Sequence, residues 1–156
     1  MATKKMAIIA TKGALDMAYP PLILASTAAA LGWEVQIFFT FYGLQLLRKD
    51  LSGIAISPVG NPAMPMPVPM PVVVSILPGM EAMATSMMKA KMKKKGVASL
   101  EELRSLCQEA EVKFIACQMT VDLFDFTRDQ FIDGIEYGGA ATFMKFAGET
   151  DVCLFI

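Results

Sequence analysis

The side chains in this chain best suited to nucleophilic chemistry are three cysteines, Cys107, Cys117 and Cys153, in a sequence that contains no histidine. Without imidazole there is no Ser-His-Asp or Cys-His pair, no histidine metal ligand and no imidazole proton shuttle. Any thiol chemistry must therefore use groups that lower a cysteine's own pKa, such as backbone N–H donors or a nearby cation. The cysteine spacings form no CxxC, and the scattered thiols and carboxylates suggest no ligand cluster. No metal and no cofactor is expected.

The three positions differ. Cys107 falls on the apolar stripe Leu103, Leu106, Cys107, Ala110 of a helical segment, where cysteine behaves as a small hydrophobe. Cys153 lies within Val152-Cys153-Leu154-Phe155-Ile156, a continuous apolar run read as a buried strand, and is expected to be structural. Cys117 instead ends the run Val112 to Cys117, at the carboxyl end of a strand, where an open parallel sheet forms its ligand crevice. Gln118, Met119 and Thr120 lead from it into a short helix, so free N–H groups can point back at the sulfur. Lys12 and Gly13, after the first strand, are expected to line the same crevice. From the residues alone, an activated thiolate and a buried, inert cysteine both stay open at Cys117.

Strand and helix signals alternate around these positions. Met6–Ala10 reads as a buried strand, Leu15–Leu31 as a small-residue apolar helix with Pro20 and Pro21 near its start, and Trp33–Thr40 as a second strand. Helical spacing resumes over Phe41–Lys49. Met80–Lys95 reads as a helix ending in a lysine run that complements its carboxyl end, and Ser99-Leu100-Glu101-Glu102 as a capping box. Strand three is Val112–Cys117, followed by short helical stretches near Val121 and over Thr127–Ile132. A brief strand over Gly134–Tyr137, a helix over Ala140–Phe146 and the strand Val152–Ile156 complete the pattern. Alternating strands and helices predict an α/β fold: one three-layer domain over residues 1–156, with a mainly parallel sheet of about five strands flanked by helices.

The helix carrying Cys107 runs antiparallel to strand three, which separates Cys107 from Cys117 by roughly 17 Å of strand rise. A bridge needs Cα atoms within about 7 Å, so an internal disulfide cycle is not expected.

Residues 51–80 carry no charge, and seven of them are proline. Prolines that remove backbone donors argue against a membrane span, without closing the question of membrane association. The Met/Pro-rich segment, an apolar insertion at about 57–79, contains a Met-Pro alternation over Met64–Pro71 that suits an extended strip. An interface or lid and a disordered apolar connection both stay open for it. A net charge of -1, from 14 basic and 15 acidic residues, gives no reason to expect nucleic acid as a partner. Apolar residues make up 54% of the 156-residue chain, and that surplus predicts contact between subunits in a homo-oligomer. Unpaired cysteines and no signal-peptide pattern predict a reducing, cytoplasmic location.

Five separated blocks carry a resemblance. They are Ala28-Ala29-Ala30-Leu31-Gly32-Trp33-Glu34-Val35, Phe38-Phe39-Thr40-Phe41-Tyr42-Gly43-Leu44, Leu77-Pro78-Gly79-Met80, Ala116-Cys117-Gln118-Met119-Thr120-Val121-Asp122, and Gly138-Gly139-Ala140-Ala141 with Asp151–Ile156. In this order they resemble the DsrE/DsrF-like family, in its DsrE2 subgroup sometimes labelled peroxiredoxin-like, over nearly the whole chain. The resemblance implies a DsrEFH-like fold, oligomers, and sulfur relay between donor and acceptor proteins through a persulfide on one cysteine. Cys117 matches that position, and Cys107, ten residues earlier, is the secondary candidate. Such a sulfurtransferase or carrier needs a thiolate, an exposed sulfur and a docking surface, but neither metal nor histidine. The alternative is a non-catalytic oligomeric module that binds a small ligand or a membrane-associated partner. A thiol peroxidase fits least, since Cys117 lacks the Pro-Thr-x-x-Cys context and no arginine lies close to it in sequence.

Overall fold

The computed structural model describes residues 2–58, 68 and 71–156, and the expected Met64–Pro71 strip lies outside them apart from Val68 and Pro71. The elements in order are β1 (Lys5–Ala10), α1 (Leu15–Ala30), β2 (Glu34–Phe39), α2 (Met80–Lys94), α3 (Leu100–Glu109), β3 (Lys113–Cys117), α4 (Gln118–Leu123), β4 (Glu136–Gly138), α5 (Ala140–Ala147) and β5 (Val152–Phe155). Short 3-10 turns cover Phe41–Leu47, Val72–Ile76 and Arg128–Gln130. The five strands form one sheet in the order β4-β3-β2-β1-β5, every neighbouring pair parallel. This is the expected α/β architecture.

Handedness explains where the helices lie. The chain steps in one direction from β1 to β2, β3 and β4, so right-handed crossovers place α1 and α3 on the same face. The step from β4 back to β5 runs the other way, and α5 lands on the opposite face. Strand side chains alternate between the two faces. Met6, Ile8, Val35, Ile37, Phe39, Phe114 and Ala116 form the main core with α1 and α3, whereas Ala7, Phe38, Ile115 and Cys117 pack beneath Phe143 of α5.

Local chemistry sets the element ends. Ser99 Oγ accepts from Glu102 N at 3.2 Å, and Glu102 Oε2 accepts from Ser99 N at 2.7 Å, which is the expected capping box at the start of α3. Pro20 and Pro21 lie beyond the first turn of α1, inside the helix, where they remove two backbone donors. Phe41–Leu47 is a 3-10 turn and not the expected α-helix. It crosses tightly over the end of β1, and a Cβ on Gly43 would overlap the Ala10 carbonyl. Among the described residues no helix is long and apolar enough to cross a membrane.

Candidate functional site

Cys117 is the last residue of β3 and the residue that precedes α4. Because Phe39, the last residue of β2, pairs with Ala116, the residue after it, Thr40, reaches the same edge as Cys117. Thr120, wholly buried, rises from the first turn of α4. Its Oγ1 lies 3.1 Å from Thr40 Oγ1 and accepts the Phe41 backbone N–H at 3.2 Å. Phe41 itself sits at φ 48°, a left-handed conformation rare for a bulky side chain.

These groups decide the state of the sulfur. Burial alone pushes the Cys117 thiol up, but the Thr120 hydroxyl and backbone N–H, the Thr40 hydroxyl and the Met119 N–H favour the thiolate and hold it below the ordinary cysteine value. The stabilising groups are neutral hydroxyl and backbone N–H donors. Cys107 is the opposite case. It is wholly buried, its Sγ donates to the Leu22 carbonyl at 3.3 Å, and burial pushes its pKa up to about 11. The two cysteines belong to packing clusters on opposite faces of the sheet, and all three cysteines are free thiols.

Two expectations about accessibility are overturned. Cys117 is only 4% exposed, because Phe38, Ile115 and Phe143 close over the end of β3, with the Phe38 and Phe143 rings stacked at 4.9 Å. Cys153 is exposed. It sits on the outer strand β5, whose residues alternate in exposure, and α5 does not extend over it, so neighbouring Phe155 is 73% exposed.

The expected crevice residues separate into two groups. Gln118, Met119 and Thr120 adjoin Cys117. Gln118 Nε2 donates to Asp122 Oδ1 at 2.7 Å, Met119 points outward at 60% exposure, and Thr120 is wholly buried. Lys12 and Gly13 follow β1, with β2 between them and β3. Lys12 is exposed there, and Gly13 lines a separate cavity of about 460 Å³ with Gln45, Arg48 and Ser57. Thr40 was not singled out as a site residue. The pairing of β2 with β3, whose carboxyl ends share one level, is the signal that identifies it. Beside the thiol, Tyr42 stacks on Phe124 at 6.0 Å and Phe41 meets the same ring edge-on at 6.3 Å, giving the edge an aromatic rim.

Residues 2–155 match the DsrE/DsrF/DrsH-like family. The chain belongs to this family. Within it, the chain is 68% identical to the Sulfur carrier protein DsrE2 of Allochromatium vinosum, with all of both chains covered. It is 34% identical to the Uncharacterized protein YrkE of Bacillus subtilis, covering 99% of this chain and 98% of that one. The crystal structure of the ychN protein from E. coli superposes with a TM-score of 0.56 at 12% identity, over 99% of this chain and 100% of that one, and shares the fold. In the DsrE-like fold of this chain, the β3–α4 junction gathers the donors around Cys117.

Proposed function

We propose that this chain is a sulfur carrier of the sulfur-relay class, holding sulfur as a persulfide on Cys117 and passing it to a partner thiol. The observation that carries this reading is the donor set around Cys117, which favours a thiolate without any base. The 68% identity to a protein named as a sulfur carrier supports it. In loading, Cys117 Sγ⁻ attacks the outer sulfur of a donor persulfide R–S–SH, the donor S–S bond breaks, and R–S⁻ leaves as Cys117–S–SH forms. In unloading, an acceptor thiolate attacks the outer sulfur, forms its own persulfide, and releases Cys117 as thiolate. No external oxidant or reductant is consumed. A new S–S bond of about 2.05 Å extends the reactive atom beyond the buried Sγ, toward an acceptor thiol.

Cys107 serves the core in this reading, and Gln118, Met119 and Thr120 shape the approach to Cys117. We assign residues 1–156 to one DsrE-like domain with a Met/Pro-rich insertion at about 57–79, supported by a family match that spans it. Three free thiols favour a reducing cytoplasm. The exposed Ile23, Leu24 and Phe155 favour a homo-oligomer. Loading with a persulfide donor, followed by intact mass, tests the function. Wild type gains one sulfur, about 32 Da, and Cys117→Ala gains none. An adduct that persists unchanged in Cys117→Ala would refute the assignment.

A further inference from the structure

We propose that the free edge of β5 is an interface between two copies of this chain, paired antiparallel about a two-fold axis at Leu154 so that their sheets become continuous. This names the surface behind the homo-oligomer read above, on which it rests, and is independent of sulfur transfer. The two edges of the sheet differ. β4 spans three residues, Glu136 pairs with Lys113 at 3.7 Å and the Arg128 guanidinium lies over the Tyr137 ring at 4.2 Å, so length, charge and a covering side chain blunt that edge. Among the described residues β5 has none of these devices. Its run Val152-Cys153-Leu154-Phe155-Ile156 carries no charge and no proline, with Cys153 exposed and Phe155 73% exposed. A long apolar edge of this kind is a template for another strand, and a second copy supplies one that closes the assembly.

Backbone pairing sets the register. Ile156 N donates to the Ile9 carbonyl at 2.8 Å and the Ile156 carbonyl accepts from Thr11 N at 3.0 Å, so both of its backbone groups face β1. Alternation along the strand turns those of Leu154 inward as well, and those of Cys153 and Phe155 to the free edge. The whole apolar run pairs against itself when Cys153 lies opposite the partner's Phe155, which brings the two Leu154 residues together on the axis. A register centred on Cys153 would instead set Phe155 against the partner's Asp151. Charges at the two ends of β5 agree with the antiparallel direction. Thr11, which also gives its hydroxyl to the Ile156 carbonyl at 3.0 Å, is followed by exposed Lys12, which has no ion pair among the described residues. Glu149 and Asp151, both exposed, lead into the other end. Antiparallel pairing sets the basic end of each copy near the acidic start of the other, whereas parallel pairing would align like with like.

Sedimentation of the full chain, together with oxidative cross-linking, tests the interface. Phe155→Lys places a charge on the edge at a solvent-exposed position, and should halve the mass of the wild-type assembly while leaving the fold intact. Leu154→Cys, combined with Cys153→Ser, should form a disulfide between the two introduced thiols, because directly opposed residues of a non-hydrogen-bonded pair have Cα atoms about 4.5 Å apart. The native Cys153 residues of the two copies are about 7 Å apart along the strands and about 5 Å across them, beyond the roughly 7 Å limit for a bridge, and should not cross-link in wild type. An assembly whose mass Phe155→Lys leaves unchanged would overturn the β5 interface while keeping the homo-oligomer, whereas a monomeric wild type would remove both. Cross-linking through Cys153 in wild type, or none in the Leu154→Cys variant, would overturn the pairing about Leu154. Should Phe155→Lys fail to fold, the cross-links alone decide.

Discussion

Replacing Phe143 by alanine should loosen the protein and uncover its reactive thiol together. Phe143 is the only buried side chain of α5, 2% exposed, with its ring 4.9 Å from Phe38 at an interplanar angle of 15°. Burying a phenylalanine contributes about 1.5–3 kcal/mol, and a well-placed aromatic pair adds about 0.5–1.5 kcal/mol. Their sum overlaps the roughly 3–5 kcal/mol typical of Phe→Ala in a core. Because the other packed side chains of α5, Phe146 and Ala147, are only partly buried, the helix can settle into the gap, so the lower part of that range, about 3 kcal/mol, is expected. For a chain of this length, that lowers Tm by roughly 6–12 °C. Under native conditions the same change opens the cluster over Cys117, so its alkylation should accelerate while Cys107, on the other face, stays protected. Thermal unfolding and peptide-resolved alkylation measure the two effects. A Tm lowered by less than about 2 °C with Cys117 no more reactive would refute the view that Phe143 is the cover.

Cys107 gives a pH dependence with a defined sign. Its folded pKa of about 11 lies above the ordinary 9.0, so the folded state retains a proton that the unfolded state loses, and stability falls as pH rises through that window. Between pH 8 and 10, wild type should lose about 1.4 kcal/mol relative to Cys107→Ala in urea unfolding, and equal losses would contradict the assignment. Ser99→Ala removes the α3 capping box and should cost about 1 kcal/mol in the same assay; a change below about 0.3 kcal/mol would show that the cap contributes little. Gly43→Ala drives a Cβ into the Ala10 backbone and should cost about 1–3 kcal/mol, so a neutral result would place the Phe41–Leu47 turn farther from β1.

The parallel sheet and its helices follow from apolar runs punctuated by Gly13, Gly32 and Ser99, and Cys117 stood out because it ends a strand. What the sequence concealed came from long-range packing. VCLFI has the composition of a buried strand, yet β5 is an outer strand and α5 is too short to cover it, leaving Cys153 and Phe155 exposed. Phe41–Lys49 has helical spacing, but Gly43 must pass against Ala10, and the tight crossing is met by a 3-10 turn. The burial of Cys117 depends on Phe143, 26 residues further along, which the reversed crossover places on the same face. Thr40 joins the site through strand pairing, 77 residues before Cys117 in sequence.

The central claim is that sulfur rests on Cys117. Its most direct test is to load the wild-type chain with a persulfide donor, cap the outer sulfur with an alkylating reagent, and locate the extra sulfur by peptide fragmentation. The account predicts the added sulfur on Cys117 alone, and its loss on addition of an acceptor thiol before capping. Sulfur found on exposed Cys153 or buried Cys107, with Cys117 unmodified, would contradict it.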